Sequence, residues 1–269
     1  MLGGILVGVL GAPLVFLLVT VLYGRHGRTV PQDTAIGRLR EARAQAVATL
    51  GPLGGFVLFL GAGVFLTAGV NIALGEALAR LEDPVDWPTF HWVERIQQQD
   101  WAQLMNTIGQ MGNIPESRVV GVVAAIALMF VAPSRRWVPP LLIGTVIVVQ
   151  KYAQAGVGKI VDRGHPPTTL GTFPSGGCSR AIAIFGVIVF LVLAYTGANR
   201  RLRGIGWGTV ATLAFVEGYT RTYLNKHWVT DVLGGWIFGA MLLAAVVFAG
   251  RALLPHPAAR PADTVETSA

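Results

Sequence analysis

A polar stretch near the C-terminus, residues 220–231, carries side chains whose spacing suits phosphoryl-transfer chemistry. His227 and Asp231 stand four residues apart, so they share one face if the stretch is helical. An Asp in this position holds one imidazole nitrogen, fixes the tautomer and leaves the other nitrogen free to attack. Arg221 and Lys226 add the positive charge that a phosphoryl substrate needs. On spacing alone, a plain polar turn at the end of a membrane helix is an equal alternative.

A second polar stretch, residues 156–180, is rich in Gly and Pro. Within it, Ser175, Gly176 and Gly177 directly precede a long apolar run. Small residues at a helix N-terminus let backbone amides and the helix dipole face an anion, and the Ser175 hydroxyl can donate a further hydrogen bond. The alternative is an ordinary capped junction between a loop and a helix. The other polar candidates of this stretch are Lys159, Arg163, His165 and Arg180.

The composition indicates what kind of protein must position these residues. The chain has 269 residues, of which 53% are hydrophobic and only 13% are charged. Soluble domains carry about twice that charge, so the chain is expected to be an integral membrane protein. A single cysteine, Cys178, excludes an internal disulfide and a multi-cysteine zinc site. The net charge of +7 is attributed to anionic headgroups, membrane orientation and a phosphate site, since no nucleic-acid-binding module is recognisable.

Apolar runs predict an all-α protein with about seven transmembrane helices. A cleaved signal peptide is the alternative for the first run, although no Lys or Arg precedes it. The acidic, aromatic-rich segment 76–118 is expected to form an amphipathic helix in the outer interface, with its aromatic side chains at headgroup depth. A partner-binding helix is its alternative. The predicted spans are 2–23, 52–75, 118–133, 137–155, 181–197, 204–219 and 232–250.

The arginines between the first two runs predict the orientation. Five of them fall within the loop 24–46, which places that loop in the cytoplasm and the N-terminus outside. Counting spans from there places the stretches 156–180 and 220–231 on the same outer face, where they can share one cavity. We therefore expect a protein of a bacterial plasma (inner) membrane with an extracytoplasmic site.

In these residues the chain resembles the type-2 phosphatidic acid phosphatase superfamily of membrane lipid phosphatases. The third motif of that family is Ser-Arg, then His, then Asp, and it stands here as Thr220-Arg221, His227 and Asp231 with both spacings intact. The resemblance implies that His227 is a nucleophile that forms a phosphohistidine, that Asp231 orients it and that Arg221 clamps phosphate. It implies neither a metal nor another cofactor.

The second and first motifs of the family are altered. Ser175 and Gly176 match the part of Pro-Ser-Gly-His that holds the phosphoryl oxygens, but Gly177 stands where the family has the His that protonates the leaving oxygen. In the first motif, His165 replaces the expected Arg, and only five residues separate it from Lys159. Arg163 and Arg180 are the substitute phosphate clamps, and His165 is a candidate for the acid role.

The resemblance divides the chain into three parts. It implies a six-helix phosphatase-like membrane domain over 47–251, preceded over 1–46 by one extra transmembrane helix and its basic loop. A Pro- and Ala-rich tail over 252–269 is expected to be disordered.

The predicted function is hydrolysis or transfer of a phosphoryl group on a lipid phosphate or diphosphate. The missing acid costs least when the leaving group is itself a phosphate, so Gly177 favours a polyprenyl diphosphate or a similar substrate. Gly177 is also expected to leave room for a larger side chain, so that Gly177→His would restore activity on monoesters. The alternatives are a non-catalytic lipid-phosphate-binding protein on the same fold and, less favoured, a transporter. The lipid tail and the oligomeric state are not predicted.

Overall fold

A computed structural model describes residues 2–26, 34–167 and 171–254 of the chain. Within these residues the chain is almost entirely helical. A π-helical turn (Glu82–Asp86) precedes α3, and a 3-10 turn (Gly109–Gly112) follows α4. The helices are α1 (Leu2–His26), α2 (Ala35–Ala79), α3 (Trp87–Ile96), α4 (Gln99–Ile108), α5 (Ile114–Val131), α6 (Val138–Val161), α7 (Gly176–Tyr195), α8 (Arg200–Tyr223) and α9 (Val229–Gly250).

The long helices form a membrane-spanning bundle. In the part of the chain that the structure describes, six helices are long and apolar enough to cross a membrane, namely α1, α2, α5, α6, α7 and α9. The seventh predicted span, 204–219, lies in α8, which is about 36 Å long but more polar. Large side chains such as Leu14, Phe65 and Phe130 are 65–82% exposed on the outer helices, as lipid-facing residues are. The prediction of an all-α membrane protein with about seven spans is confirmed.

The helix α2 begins earlier than predicted. Thr34 caps it by accepting a hydrogen bond from the Gly37 amide, 3.2 Å away. The helix then continues to Ala79 across a break at Gly51, whose φ of 74° suits glycine, and Pro52 starts the second part. The prediction of a basic loop over 24–46 is thus wrong for its second half. That half is helical because Thr34 caps it and few helix-breaking residues follow. Residues 27–33 lie outside the described residues.

The centre of the bundle is α7, which packs against α5, α6, α8 and α9. Its buried side chains Ile184, Val187 and Leu191 belong to one core with Phe238 and Leu242 of α9. Short connections make α8 antiparallel to both α7 and α9. As a result, the start of α7, the end of α8 and the start of α9 lie at the same end of the bundle, which brings the two polar stretches together.

The first helix packs along α8 through small residues. A Cβ on Gly8 would stand 2.7 Å from the Tyr219 ring, and Gly11 approaches Phe215 just as closely. The Tyr219 hydroxyl donates a hydrogen bond of 2.7 Å to the carbonyl of Gly4. Close approach of small residues is the usual way in which membrane helices associate.

The segment between α2 and α5 differs from its prediction. It is broken into several short elements rather than one interfacial helix, and it covers the end of α8. Its Phe90 is buried, and the Trp87 and Phe90 rings pack edge-on against Trp228. The Gln97 amide donates to the Tyr223 carbonyl at 2.7 Å. Trp87 and Phe90 thus pack on the third motif, whereas Trp92 is 45% exposed, and the expectation that the aromatic side chains lie at headgroup depth stays a prediction.

Only the beginning of the predicted tail, 252–269, is described. Leu253 is fully buried, and its carbonyl accepts a hydrogen bond of 3.0 Å from Arg135. Disorder is therefore wrong for residues 252–254, which pack on the bundle, and the rest of the tail lies outside the described residues.

Candidate active site

One hydrogen bond joins the two polar stretches directly. The Ser175 amide, at the cap of α7, donates to the carbonyl of Asp231 in the first turn of α9 at 2.9 Å. His227 lies four residues earlier, in the turn between α8 and α9. The start of α7 and the predicted nucleophile therefore belong to one polar cluster at this end of the bundle.

His227 faces Asp231 through a single ring nitrogen. Its Nδ1 lies 3.5 Å from Asp231 Oδ2, and the side chain is 12% exposed whereas that of Asp231 is fully buried. The Trp228 amide donates to the same oxygen at 3.2 Å, and Gly171 packs against the imidazole. In this geometry Nδ1 makes no hydrogen bond, and catalytic contacts are often long or poorly aligned before substrate binds. The geometry leaves Nε2 as the nitrogen that faces away from the carboxylate.

A buried ion pair stands behind Asp231. Arg163 Nη2 lies 2.7 Å from Asp86 Oδ2, and Nη1 lies 3.8 Å from Asp231 Oδ1. Asp86 also accepts hydrogen bonds from the Thr230 amide at 3.1 Å and from its hydroxyl at 2.6 Å. Sequence reasoning missed Asp86, since no spacing signal links it to Arg163 across 77 residues. Arg163 is thus placed beside the orienting carboxylate, with Asp86 as its closer partner.

A second ion pair holds Arg221. Its guanidinium lies 2.6 Å from Glu217 Oε1, and it also donates to the Gly109 carbonyl at 2.9 Å and to Asn113 Oδ1 at 3.0 Å. Glu217 is 1% exposed. Sequence reasoning missed it, although an acid inside an apolar run, one helical turn before Arg221, was the available signal.

Gly177 packs directly onto this ion pair. A Cβ at this position would overlap Glu217 Oε1 and would stand 2.9 Å from Arg221 Nε. The expectation that Gly177 leaves room for a larger side chain is therefore wrong, because Glu217 occupies that space. The predicted rescue by Gly177→His would require the Glu217 and Arg221 side chains to move, and it stays a prediction.

Arg180 lies on the other side of the start of α7. Its Nε donates to the Gly112 carbonyl at 2.8 Å, and its Nη1 stands 3.0 Å from the place of a Cβ on Gly176. Beside it is a cavity of about 180 Å³, whose lining includes Arg118, Lys151 and Gln154. Sequence reasoning did not single out Arg118 or Lys151, which come from α5 and α6.

Other predicted site residues stand at the edge of this cluster. Lys159 is exposed on the last turn of α6, and among the described residues no ion pair links it to the site. His165 is exposed, and its Nδ1 lies 3.0 Å from the carbonyl of Pro166. Lys226 donates to Asn106 Oδ1 at 2.7 Å, and burial followed by the charge of Arg221 lowers the pKa of Lys226.

Taken together, these groups are an imidazole against a buried carboxylate, several guanidinium groups and the amide-rich start of a helix. Such donors stabilise the charge of a transferring phosphoryl group. Within residues 2–26, 34–167 and 171–254, no cluster of three or more His, Cys, Asp or Glu side chains could hold a metal ion.

Comparison with known families agrees with this arrangement. The model of the PAP2 superfamily matches residues 85–252, which is more than half of the chain. The chain belongs to the PAP2 superfamily. The matched region begins next to Asp86 and ends just after α9, so that α1 and α2 lie outside it. The predicted boundary at residue 47 stays a prediction.

Two matches from Bacillus subtilis represent this superfamily. Phosphatidylglycerophosphatase B of strain 168 is 35% identical over 75 residues, which are 28% of this chain and 37% of that protein. The chain therefore matches little more than a third of the length of this relative. The crystal structure of a transmembrane PAP2 type phosphatidylglycerolphosphate phosphatase superposes with a TM-score of 0.60 at 21% identity, covering 68% of this chain and 92% of that one. This likeness shows a shared PAP2 membrane fold.

Proposed function

We propose that this protein is a lipid phosphatase that acts through a phosphohistidine at the extracytoplasmic face of a bacterial inner membrane. The observation that supports this most is the placement of His227 Nδ1 against the buried Asp231, while the same Asp231 accepts the amide of Ser175 at the start of α7. A residue that only bound phosphate would not need an orienting acid.

In the first step, the lone pair of His227 Nε2 attacks phosphorus, and the bond to the leaving oxygen breaks with its electron pair. Asp231 stabilises the resulting positive imidazole, while Arg221, Arg180, the Ser175 hydroxyl and the Gly176 amide stabilise the phosphoryl oxygens. In the second step, water attacks phosphorus, the P–N bond breaks and phosphate leaves. The water proton passes to phosphate or to solvent.

The substrate we favour is a lipid diphosphate, such as a polyprenyl diphosphate. Gly177 supplies no proton donor, and the Glu217 carboxylate beside it is bound to Arg221. A general acid is typically worth about 10²–10⁴-fold in rate, but a phosphate leaving group needs it far less than an alkoxide does. Arg118 and Lys151, which line the cavity next to Arg180, offer positive charge for a second phosphate.

The test is phosphate release by the purified protein from lipids with matched tails, one set as diphosphates and one as monophosphates. The set includes phosphatidylglycerophosphate, after which the relatives are named. We expect release from diphosphates to be faster, and His227→Asn to abolish it. The exposed His91 provides the matched control His91→Asn, which should keep full activity. Full activity of His227→Asn would contradict the proposed mechanism. Faster phosphate release from monophosphates would contradict the proposal that the substrate is a diphosphate.

A second function, binding of lipid phosphate without turnover, is supported by a separate observation. The charge of Arg221 is already neutralised by Glu217. At the position where the family has its general-acid His, this chain has Gly177. Under this alternative the wild-type protein binds lipid phosphates of both kinds but releases no phosphate, and His227→Asn binds them equally well. Acid-quenched protein would then carry no phosphoryl group.

A further inference from the structure

A second cavity with charged walls lies at the opposite end of the bundle. Its volume is about 440 Å³, within the range of about 300–1,000 Å³ that is common for ligand sites. It is formed where α7 and α9 end and α8 begins. Phe190, in its wall, lies 14 residues along α7 from Gly176, which corresponds to roughly 20 Å. The cavity is therefore separate from the candidate active site.

Three arginines line this cavity. Arg43 comes from α2, Arg203 from the first turn of α8, and Arg251 directly follows α9. No Asp or Glu among the described residues forms an ion pair with any of them. Burial lowers the pKa of Arg251, and the positive charges of Arg40 and Arg203 lower it further. The cavity thus concentrates positive charge that a bound anion would neutralise.

Two of these guanidinium groups are held in place by the protein. Arg43 Nη1 donates to the Phe248 carbonyl at 2.8 Å and its guanidinium lies 4.7 Å from the centre of the Phe248 ring. Arg203 Nε donates to the Ala198 carbonyl at 2.9 Å. A guanidinium has five N–H donors, so each group keeps donors for a ligand. A site whose cations are already oriented loses less conformational entropy on binding.

The rest of the wall identifies the kind of anion. Apart from Tyr23, the rest of the wall is apolar, and apolar side chains offer no favourable contact to a free phosphate ion. A phospholipid can place its phosphate against the arginines and its glycerol and first acyl carbons against the apolar side chains. Basic pockets between membrane helices bind anionic headgroups in this way. The apolar members are Phe190, Leu193, Ala194, Trp207, Val247 and Leu254.

We propose that this cavity binds the phosphate-bearing headgroup of an anionic phospholipid on the membrane face opposite the candidate active site. Tyr23 and Arg43 belong to the helices outside the PAP2 match, whereas Arg203 and Arg251 belong to the matched region. A bound lipid would therefore join the N-terminal helices to the phosphatase bundle. The proposal does not depend on the proposed phosphatase activity.

The test is native mass spectrometry of the full chain with phosphatidylglycerol and with phosphatidylcholine of the same acyl chains. We expect phosphatidylglycerol to be retained preferentially. Arg251→Gln removes charge-assisted hydrogen bonds and should weaken its binding about tenfold. The matched control is Arg200→Gln, since Arg200 is exposed at the same end of α8 but does not line the cavity, and it should bind as the wild type does.

Three results would overturn the proposal. The first is equal retention of phosphatidylglycerol by the Arg251→Gln and Arg200→Gln variants. The second is equal retention of the two lipids by the wild type. The third is binding of inorganic phosphate or of the deacylated headgroup as tightly as the intact lipid, which would identify a site for free phosphate. If the melting temperature shows that Arg251→Gln is unfolded, Arg203→Gln, on another helix, makes the same test.

Discussion

At the scale of single residues, Gly177 and Glu217 fit one another. The absent side chain of Gly177 leaves the space that the Glu217 carboxylate fills, and the carboxylate in turn holds Arg221 at 2.6 Å. A side chain at 177 and an acid at 217 therefore exclude each other in this packing. Gly177, where the family resemblance predicted a general acid, is thus accompanied by a buried counter-charge for Arg221, the predicted phosphate clamp.

The first prediction is that Gly177→Ala destabilises the protein and displaces Arg221. The added methyl group overlaps Glu217 Oε1, and overpacking of this kind costs about 1–3 kcal/mol. The measurement is the melting temperature in detergent, together with the affinity for inorganic phosphate. Gly144→Ala is the control, because a Cβ there meets nothing within 4 Å. Equal melting temperatures for the two variants would show that the Glu217 side chain can move aside without a loss of stability.

The second prediction concerns the charge of Glu217. Glu217→Gln keeps a hydrogen-bond acceptor near Arg221 but leaves the buried guanidinium without its counter-charge. The variant should melt at a lower temperature than the wild type without ligand, and phosphate or vanadate should raise its melting temperature more. A ligand that replaces the lost charge stabilises the folded state by mass action. Glu94→Gln, at an exposed acid, should behave as the wild type. If phosphate raises the melting temperature of Glu217→Gln no more than that of the wild type, Arg221 does not bind phosphate.

At the scale of elements, the start of α7 lies between two buried charged clusters. On one side are His227, Asp231, Arg163 and Asp86, and on the other is the pair of Glu217 and Arg221. The segment from the π-helical turn to the 3-10 turn contributes to both, through Asp86 at its beginning and the Gly109 carbonyl at its end. That segment is therefore a structural part of the site and covers the third motif.

The third prediction tests this connection with Asp86→Asn. Asp86 pairs with Arg163 and accepts both Thr230 donors, so the substitution leaves Arg163 without its closest counter-charge. Removing one partner of a buried pair costs about 3–5 kcal/mol. We expect a lower melting temperature and slower phosphate release, with Asp83→Asn, in the same turn but exposed, as the control. Loss of stability alone, with full activity, would limit Asp86 to a structural role.

At the scale of the whole molecule, the two ends of the bundle differ in chemistry. Both ends carry arginines, but Arg163 and Arg221 at the end with His227 are paired with buried acids, whereas the three arginines around the larger cavity have no ion-pair partner among the described residues. Basic residues favour the cytoplasmic side of a membrane. This asymmetry supports the proposed orientation, with the candidate active site outside and Arg40 inside.

The fourth prediction tests this orientation by cysteine labelling in intact cells with a membrane-impermeant reagent. Cys178 is fully buried, so the parent protein should give little background. Arg40→Cys should stay unlabelled until the membrane is permeabilised. Gln103→Cys, at an exposed position on α4 near the site, should be labelled in intact cells. The reverse pattern would place the site in the cytoplasm and overturn the proposed localisation.

The sequence by itself determined the class of fold and indicated the residues on which the proposed chemistry rests. Runs of apolar residues fix helix positions to within a few residues, because a lipid environment demands continuous hydrogen-bonded helices. The spacing of Arg221, His227 and Asp231 is local, so their relation could be derived before the fold was known. The start of α2 was wrongly predicted at residue 52, because charge in the preceding stretch suggested a loop, whereas the Thr34 cap supports a helix from Ala35.

The tertiary structure alone decided which acids belong to the site and which space is filled. Asp86 meets Arg163 across 77 residues, and Gly177 meets Glu217 between two helices. Neither contact leaves a periodic trace in the sequence, because the first joins the segment before α5 to the loop after α6 and the second arises where α7 packs against α8. A charge that is buried away from water is costly unless a partner of opposite charge lies close to it. Only the folded chain determines which partner is close enough.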